Sequence, residues 1–284
     1  MSDSRALRWG LRILQSVLTD GLSHRYRQEL EGYLRDQLHS DRVKLKICTH
    51  GSHWISIPVK VDVRMGETRF ALFAKVITEK GLRNFNYAIE SRNLRIRLLS
   101  DKHGPVYRKA LALYDVLSYE AKTLTEFRAA KICSPKPLRL YQFDSCSLLL
   151  LEYIEGVPLG EADLKHKDAI RILSIARQLM DNRLVHGDIK LDNFVRRKDG
   201  SIYLMDCLDW TGSLKAALSY DLTNTIYSLS RKLEPITVLK MARLFFTASE
   251  IAKAIELIDA AGAQIDVLTD EDRAHQIRLA MELI

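Results

Sequence analysis

The chain has 284 residues, 47% of them hydrophobic and 28% charged, with a formal net charge of +7. That is enough apolar material for one large domain or for two lobes with a cleft between them. The modest excess of cations suits an anionic cofactor, an acidic substrate or an anionic membrane surface, and does not single out nucleic acid.

Cys48, Cys133, Cys146 and Cys207 never fall at C-x-x-C spacing. They read as separate thiols of a reducing compartment, not as a zinc site or a disulfide framework. No window reaches 18 apolar residues, and the first residues hold no signal-peptide core. The expectation is a cytoplasmic protein.

From about Leu7 to Leu38 apolar residues recur at helical steps: Leu7, Leu11, Leu14 and Leu18, then Tyr26, Leu30, Tyr33 and Leu34 after Asp20-Gly21. Arg5, Arg8 and Arg12 are interleaved. This basic amphipathic extension, residues 1–42, either packs on the body of the protein or lies peripherally on the inner face of a membrane. Val43 to Cys48, Trp54 to Val63 and Phe70 to Ile77 are short β-branched runs separated by turn residues, which predicts an antiparallel meander. Lys75 interrupts the third run. An ammonium there needs a carboxylate or phosphate partner, or an edge position from which to reach water. The first turn is Thr49-His50-Gly51-Ser52-His53. It has neither G-x-G-x-x-G nor G-x-x-x-x-G-K-[ST], but Gly51 can let backbone N–H groups approach phosphate and Ser52 can donate another bond.

Residues 81–108 resist assignment. Arg83, Arg92, Arg95, Arg97, Lys102 and Arg108 face only Glu90 and Asp101 in number, as a solvated basic face or a contact for an anionic substrate. Lys109 to Lys131 reads as a helix carrying Glu120 and Glu126, stopped by Pro135 and Pro137. Two strands follow, Leu138 to Tyr141 and Ser147 to Glu152, with a lobe boundary near residue 154. Lys167 to Asn182 is an amphipathic helix. The tail is helical, with one element near Leu222 to Leu229, another from Leu239 to Ile258, and a last helix capped at Thr269-Asp270-Glu271-Asp272.

The chemistry concentrates in Leu184-Val185-His186-Gly187-Asp188-Ile189-Lys190-Leu191-Asp192-Asn193 and in Ile202-Tyr203-Leu204-Met205-Asp206. Apolar runs around Arg196-Arg197-Lys198-Asp199-Gly200 predict a β-hairpin that gathers Asp188, Lys190, Asn193 and Asp206. A carboxylate to take a hydroxyl proton, a lysine to face a transferring phosphoryl group and an Asn/Asp pair for Mg²⁺ are what phosphoryl transfer needs. His186 reads as a structural imidazole.

This H-x-D-x-K-x-x-N block with its later Asp resembles the catalytic loop and metal-binding Asp of atypical, protein-kinase-like phosphotransferases. Its His-Gly-Asp is more similar to the aminoglycoside/choline phosphotransferase and lipopolysaccharide-kinase branches than to standard protein kinases. The resemblance spans about 43–230 and implies an α+β, bilobal protein-kinase-like fold. A small antiparallel N-lobe (43–154, with the basic insertion near 81–108) would precede a mainly helical C-lobe (155–284). It implies ATP and Mg²⁺ as cofactors. It makes Asp188 and Lys190 catalytic, Asn193 and Asp206 metal ligands, and Lys75, Gly51, Ser52 and the Glu152 hinge region nucleotide contacts. Glu120, with Glu126 as the alternative, would pair with Lys75, and Asp221 would support the loop from a following helix. The acceptor is then a small molecule, sugar, glycan or lipid headgroup. An atypical protein serine/threonine kinase and a non-catalytic nucleotide-binding scaffold are the alternatives.

Overall fold

The computed structural model describes residues 24–48, 55–100, 104–143, 146–261 and 271–283. In chain order these form α1 (His24–Gln37), β1 (Arg42–Ile47), β2 (Ile57–Met65), β3 (Thr68–Thr78), α2 (Glu79–Leu99), β4 (Val106–Tyr107), α3 (Leu113–Ala129), β5 (Pro137–Gln142) and β6 (Cys146–Glu152). Then come β7 (Val157–Pro158), α4 (His166–Asp181), a 3₁₀ turn (Leu191–Asn193), β8 (Phe194–Arg196), β9 (Ile202–Leu204) and β10 (Trp210–Thr211). The C-terminal helices are α5 (Leu214–Ser230), α6 (Pro235–Ala242), α7 (Ala248–Glu256), α8 (Ile258–Ala261) and α9 (Glu271–Glu282).

The described residues fall into two compact units. The first holds those up to Asn84, with Ala112–Leu117 and Pro137–Tyr153. Its five-stranded antiparallel sheet has the order β1-β2-β3-β6-β5. Alternation in β2 sends Ile57, Val59, Val61 and Val63 to one face and Pro58, Lys60 and Asp62 to the other. The apolar face packs against Leu30 and Leu34, one turn apart on α1, together with Val43, Leu45, Ala74, Val76, Leu148 and Leu150. The part of the N-terminal extension that is described therefore covers the sheet. Residues 7–23, where membrane contact was the other expectation, lie outside the described residues. Lys75 sits on the central strand, opposite Pro58 and Leu149, so the edge-position alternative does not apply.

The second unit holds Phe85–Leu111, Ser118–Lys136 and the described residues from Ile154 onward. Buried Ile172, Leu173, Ile175, Ala176 and Leu179 form the inner stripe of α4. The helix α5 is buried from Tyr220 to Ser230. Around this helical core lie the small β7-β8-β9 sheet and the two-stranded β4-β10 pair. A sheet unit followed by a mainly helical unit is the α+β, protein-kinase-like class.

Two segments differ from the sequence reading. The unassigned 81–108 stretch is largely α2, a 21-residue helix. Its side chains Asn86 and Asn93, seven positions apart, each clamp a backbone residue of the following segment: Asn86 both donates to Ala110 O and accepts from Ala110 N–H at 2.9 Å. Asn93 does the same with Tyr107 at 2.8 Å. The single helix expected over 239–258 is two, α6 and α7, because Thr247 caps a new start and Glu250 returns the bond in a capping box. Among the described residues, no helix is long and apolar enough to cross a membrane.

Candidate active site

The loop after α4 is held from beneath by Asp221 on α5. One carboxylate oxygen accepts the N–H of His186 at 2.7 Å and the other that of Gly187 at 3.0 Å. Burial pushes the Asp221 carboxyl up to about 7, the two backbone donors pulling the other way. His186 is fully buried and has both ring nitrogens engaged. Its Nε2 meets Met205 O at 2.9 Å, so Nε2 carries the proton, and Nδ1 accepts the N–H of Asp188 at 3.1 Å. Burial drives this imidazole down to about 4, against the pull of the Asp188 carboxylate and the Met205 carbonyl. A neutral ring of fixed tautomer braces the loop, as the sequence suggested.

Gly187 has φ of +80°, and a Cβ there would lie 2.8 Å from Leu208 O and 3.1 Å from the Tyr107 ring. Only glycine takes this conformation without strain, so no side chain can stand beside Asp188 at this position. Gly187→Ala is expected to destabilise the protein by about 1–3 kcal/mol, from left-handed strain and the two close approaches. A thermal melt matching wild type would refute that account.

Asp188 gathers three cationic or amide donors around one carboxylate. Lys190 Nζ lies 3.2 Å from Oδ2, and Asn193 Nδ2 donates to the same oxygen at 3.1 Å and to the Asp188 carbonyl at 2.7 Å. Arg92 Nη1 donates to Oδ1 at 2.9 Å. Burial alone would raise the Asp188 carboxyl, but Lys190, then Arg92, outweigh it and hold it well below the usual carboxylate range. The acid is ionised throughout the physiological range.

The 3₁₀ turn places Asn193 where the chain enters β8, and β8 pairs antiparallel with β9 from Phe194↔Leu204 to Arg196↔Ile202. Met205 N–H then donates to Asn193 O at 3.1 Å, so the hairpin brings the residue before Asp206 against Asn193. Asp206 itself has φ of +65°, a conformation non-glycine residues adopt rarely and often at functional sites. Because Nδ2 of Asn193 is committed to Asp188, its Oδ1 remains as an acceptor. That oxygen and the Asp206 carboxylate are hard oxygen groups of the kind that could hold Mg²⁺. Among the described residues, no three His, Cys, Asp or Glu side chains gather as a metal cluster.

The other expected site residues are placed as follows. Lys75 is half-buried on β3, and Glu152 ends β6 opposite Leu72. Glu120 is 1% exposed on α3. Glu126 faces solvent and pairs with Lys122 at 3.9 Å. Gly51 and Ser52 lie outside the described residues. Asp192 is exposed beside the loop.

The sequence reading missed the second layer beneath Asp188. Arg92, on the buried side of α2, has its guanidinium 4.4 Å from the Tyr107 ring centroid and 5.9 Å from that of Tyr220. Tyr220 OH is anchored by donating to Ala260 O at 2.9 Å. Tyr107 is fixed by Asn93 and, through β4, by pairing with Trp210. One signal was available: Phe85, Ala88, Ile89 and Ile96 form an apolar helical stripe, and Arg92 falls within it.

No protein-family model matches the chain, and no curated protein matches it. Among solved structures, the chain is similar to one assigned as a fructosamine-3-kinase from Haemophilus somnus 129PT, at 10% identity, over 89% of this chain and 96% of that one, with a TM-score of 0.40. It is also similar to a microcompartment-associated aminopropanol kinase, at 11% identity, over 88% and 94% of the two chains, with a TM-score of 0.43. A likeness at this level of identity concerns the fold alone.

Proposed function

We propose that the chain is a phosphotransferase that moves the γ-phosphoryl group of ATP to a hydroxyl of a small molecule, sugar, glycan or lipid headgroup, with Mg²⁺. The observation that carries this reading is the Asp188 carboxylate, ionised and met by Lys190 and Asn193 within 3.2 Å, with Asp206 following in sequence the Met205 whose N–H bonds Asn193 O. Asp188 accepts the acceptor's hydroxyl proton. The new O–P bond forms as the bond from the γ-phosphorus to the β–γ bridging oxygen breaks, and ADP leaves with that electron pair. Lys190 can release Asp188 and turn its ammonium to the transferring group, offsetting charge that grows in the transition state. Bound Mg²⁺, held by Asn193 and Asp206, would supply further neutralisation of phosphate charge.

A small acceptor is favoured over a protein. The helix α5 begins at Leu214, eight positions after Asp206, which leaves little chain for a peptide platform. Incubating the protein with labelled ATP, Mg²⁺ and matched metabolite, lipid and protein fractions, followed by mass spectrometry, tests the reading. Asp188-dependent label confined to a protein serine or threonine would overturn the choice of acceptor. Labelling of no fraction would overturn the reading itself.

Lys75 is assigned to the nucleotide phosphates. Lys75→Met is expected to cut turnover by about 10²-fold with a melting temperature near wild type, because one preorganised cation is lost and an apolar chain fits an apolar strand. Undiminished turnover would remove Lys75 from the site.

A further inference from the structure

We propose that Arg92 is a positioning residue for Asp188: from α2 it anchors Oδ1, so that Oδ2 is the oxygen turned to the acceptor hydroxyl. The inference rests on the phosphotransferase reading and adds a residue that lies 96 positions before the loop it serves.

The two carboxylate oxygens are held in different ways. Oδ2 is met by Lys190 and Asn193, both on the loop itself, and Lys190 has the transferring phosphoryl group as an alternative partner. Oδ1 is met by Arg92, whose side chain is 4% exposed and lies against two tyrosine rings. When Lys190 turns away, Oδ2 gains an open lone pair, while Oδ1 stays pinned and the carboxylate keeps its plane.

Stability does not account for an arginine here. Exchanging a buried ion pair for packed apolar groups is often neutral or stabilising. Nε and Nη2 of Arg92 are buried with no acceptor at good hydrogen-bond geometry among the described residues, the Tyr220 hydroxyl interacting with the guanidinium only loosely, which is a further loss. The fold supports the guanidinium regardless, with Tyr107 clamped by Asn93 and Tyr220 tied to Ala260.

The test compares wild type, Arg92→Met and Arg92→Lys, with Mg-ATP turnover to water or to any acceptor fraction, Mg-ADP titration and thermal melts. Arg92→Met is expected to lower kcat by about 10²-fold with KM for ATP held within about twofold, since a misplaced base loses rate without losing binding. Arg92→Lys, which restores a charge at Oδ1 without the planar fork, should recover part of that loss. It is also the informative arm if the methionine variant does not fold: its kcat should then fall about tenfold at unchanged KM. A lowered melting temperature with kcat intact would make Arg92 purely structural, and a raised KM at constant kcat would make it a nucleotide contact. Either result overturns the proposal alone. A wild-type protein that transfers phosphate to nothing overturns the phosphotransferase reading, and this proposal with it.

Discussion

Asp188→Asn is expected to lower turnover by roughly 10²- to 10⁴-fold while Mg-ADP still binds, since in the proposed mechanism the lost group acts on the acceptor and not on the nucleotide. The substitution is nearly isosteric, but an amide has a single acceptor oxygen and cannot accept both from Arg92 at Oδ1 and from Lys190 and Asn193 at Oδ2. It also strips Arg92 of its counter-charge. Breaking a buried pair from one side costs about 3–5 kcal/mol, so the melting temperature should fall as well. Pairing Asp188→Asn with Arg92→Met should return part of that stability and none of the rate. Calorimetric titration of Mg-ADP, a rate assay and melts of the single and double variants separate these effects. A single variant that turned over at the wild-type rate would remove Asp188 from the chemistry.

Asp206→Asn should act earlier in the cycle, by weakening metal-dependent nucleotide binding at least about 10²-fold and suppressing turnover with it. Asparagine is the informative replacement because it tolerates the left-handed backbone that Asp206 adopts better than most residues, which keeps strain out of the comparison. The measurement is ADP affinity with and without Mg²⁺. In wild type the metal should tighten binding, and in the variant the two curves should converge. If Asp206→Asn kept its metal dependence while Asp188→Asn abolished binding, the two roles would be reversed.

Much of the fold is written in period. The alternation Ile57, Val59, Val61, Val63 announces β2, and the lone lysine in the next apolar run was noticed because a charge there needs a reason. The same logic applies to Arg92, and it was obscured by company. In a stretch with five other basic residues, the one on the buried stripe of α2 looks no different until helical spacing is imposed on Phe85, Ala88, Ile89 and Ile96. The loop residues His186 to Asn193 were legible because they are close in sequence and chemically unusual together. Tyr107 and Tyr220 were not, because a tyrosine serving as the floor of a guanidinium site has the same local pattern as one filling a core. The break before α7 was readable as Thr247-Ala248-Ser249-Glu250, a capping box inside an apolar run. There, hydrophobic periodicity outweighed the cap in the reading, and the cap prevailed in the fold.

The Arg92–Asp188 pair also has a consequence for the order in which the protein assembles. Asp188 and Asn193 are five residues apart, whereas Arg92 and Asp188 are separated by 96. Closing the longer loop costs roughly 2.5 kcal/mol more chain entropy than closing the shorter one. The loop can therefore take shape around Asn193 and Lys190 with Asp188 still hydrated, and it receives its buried cation only when α2 docks. If desolvation of the carboxylate waits for the guanidinium, the chain is spared the cost of a buried Asp188 without Arg92.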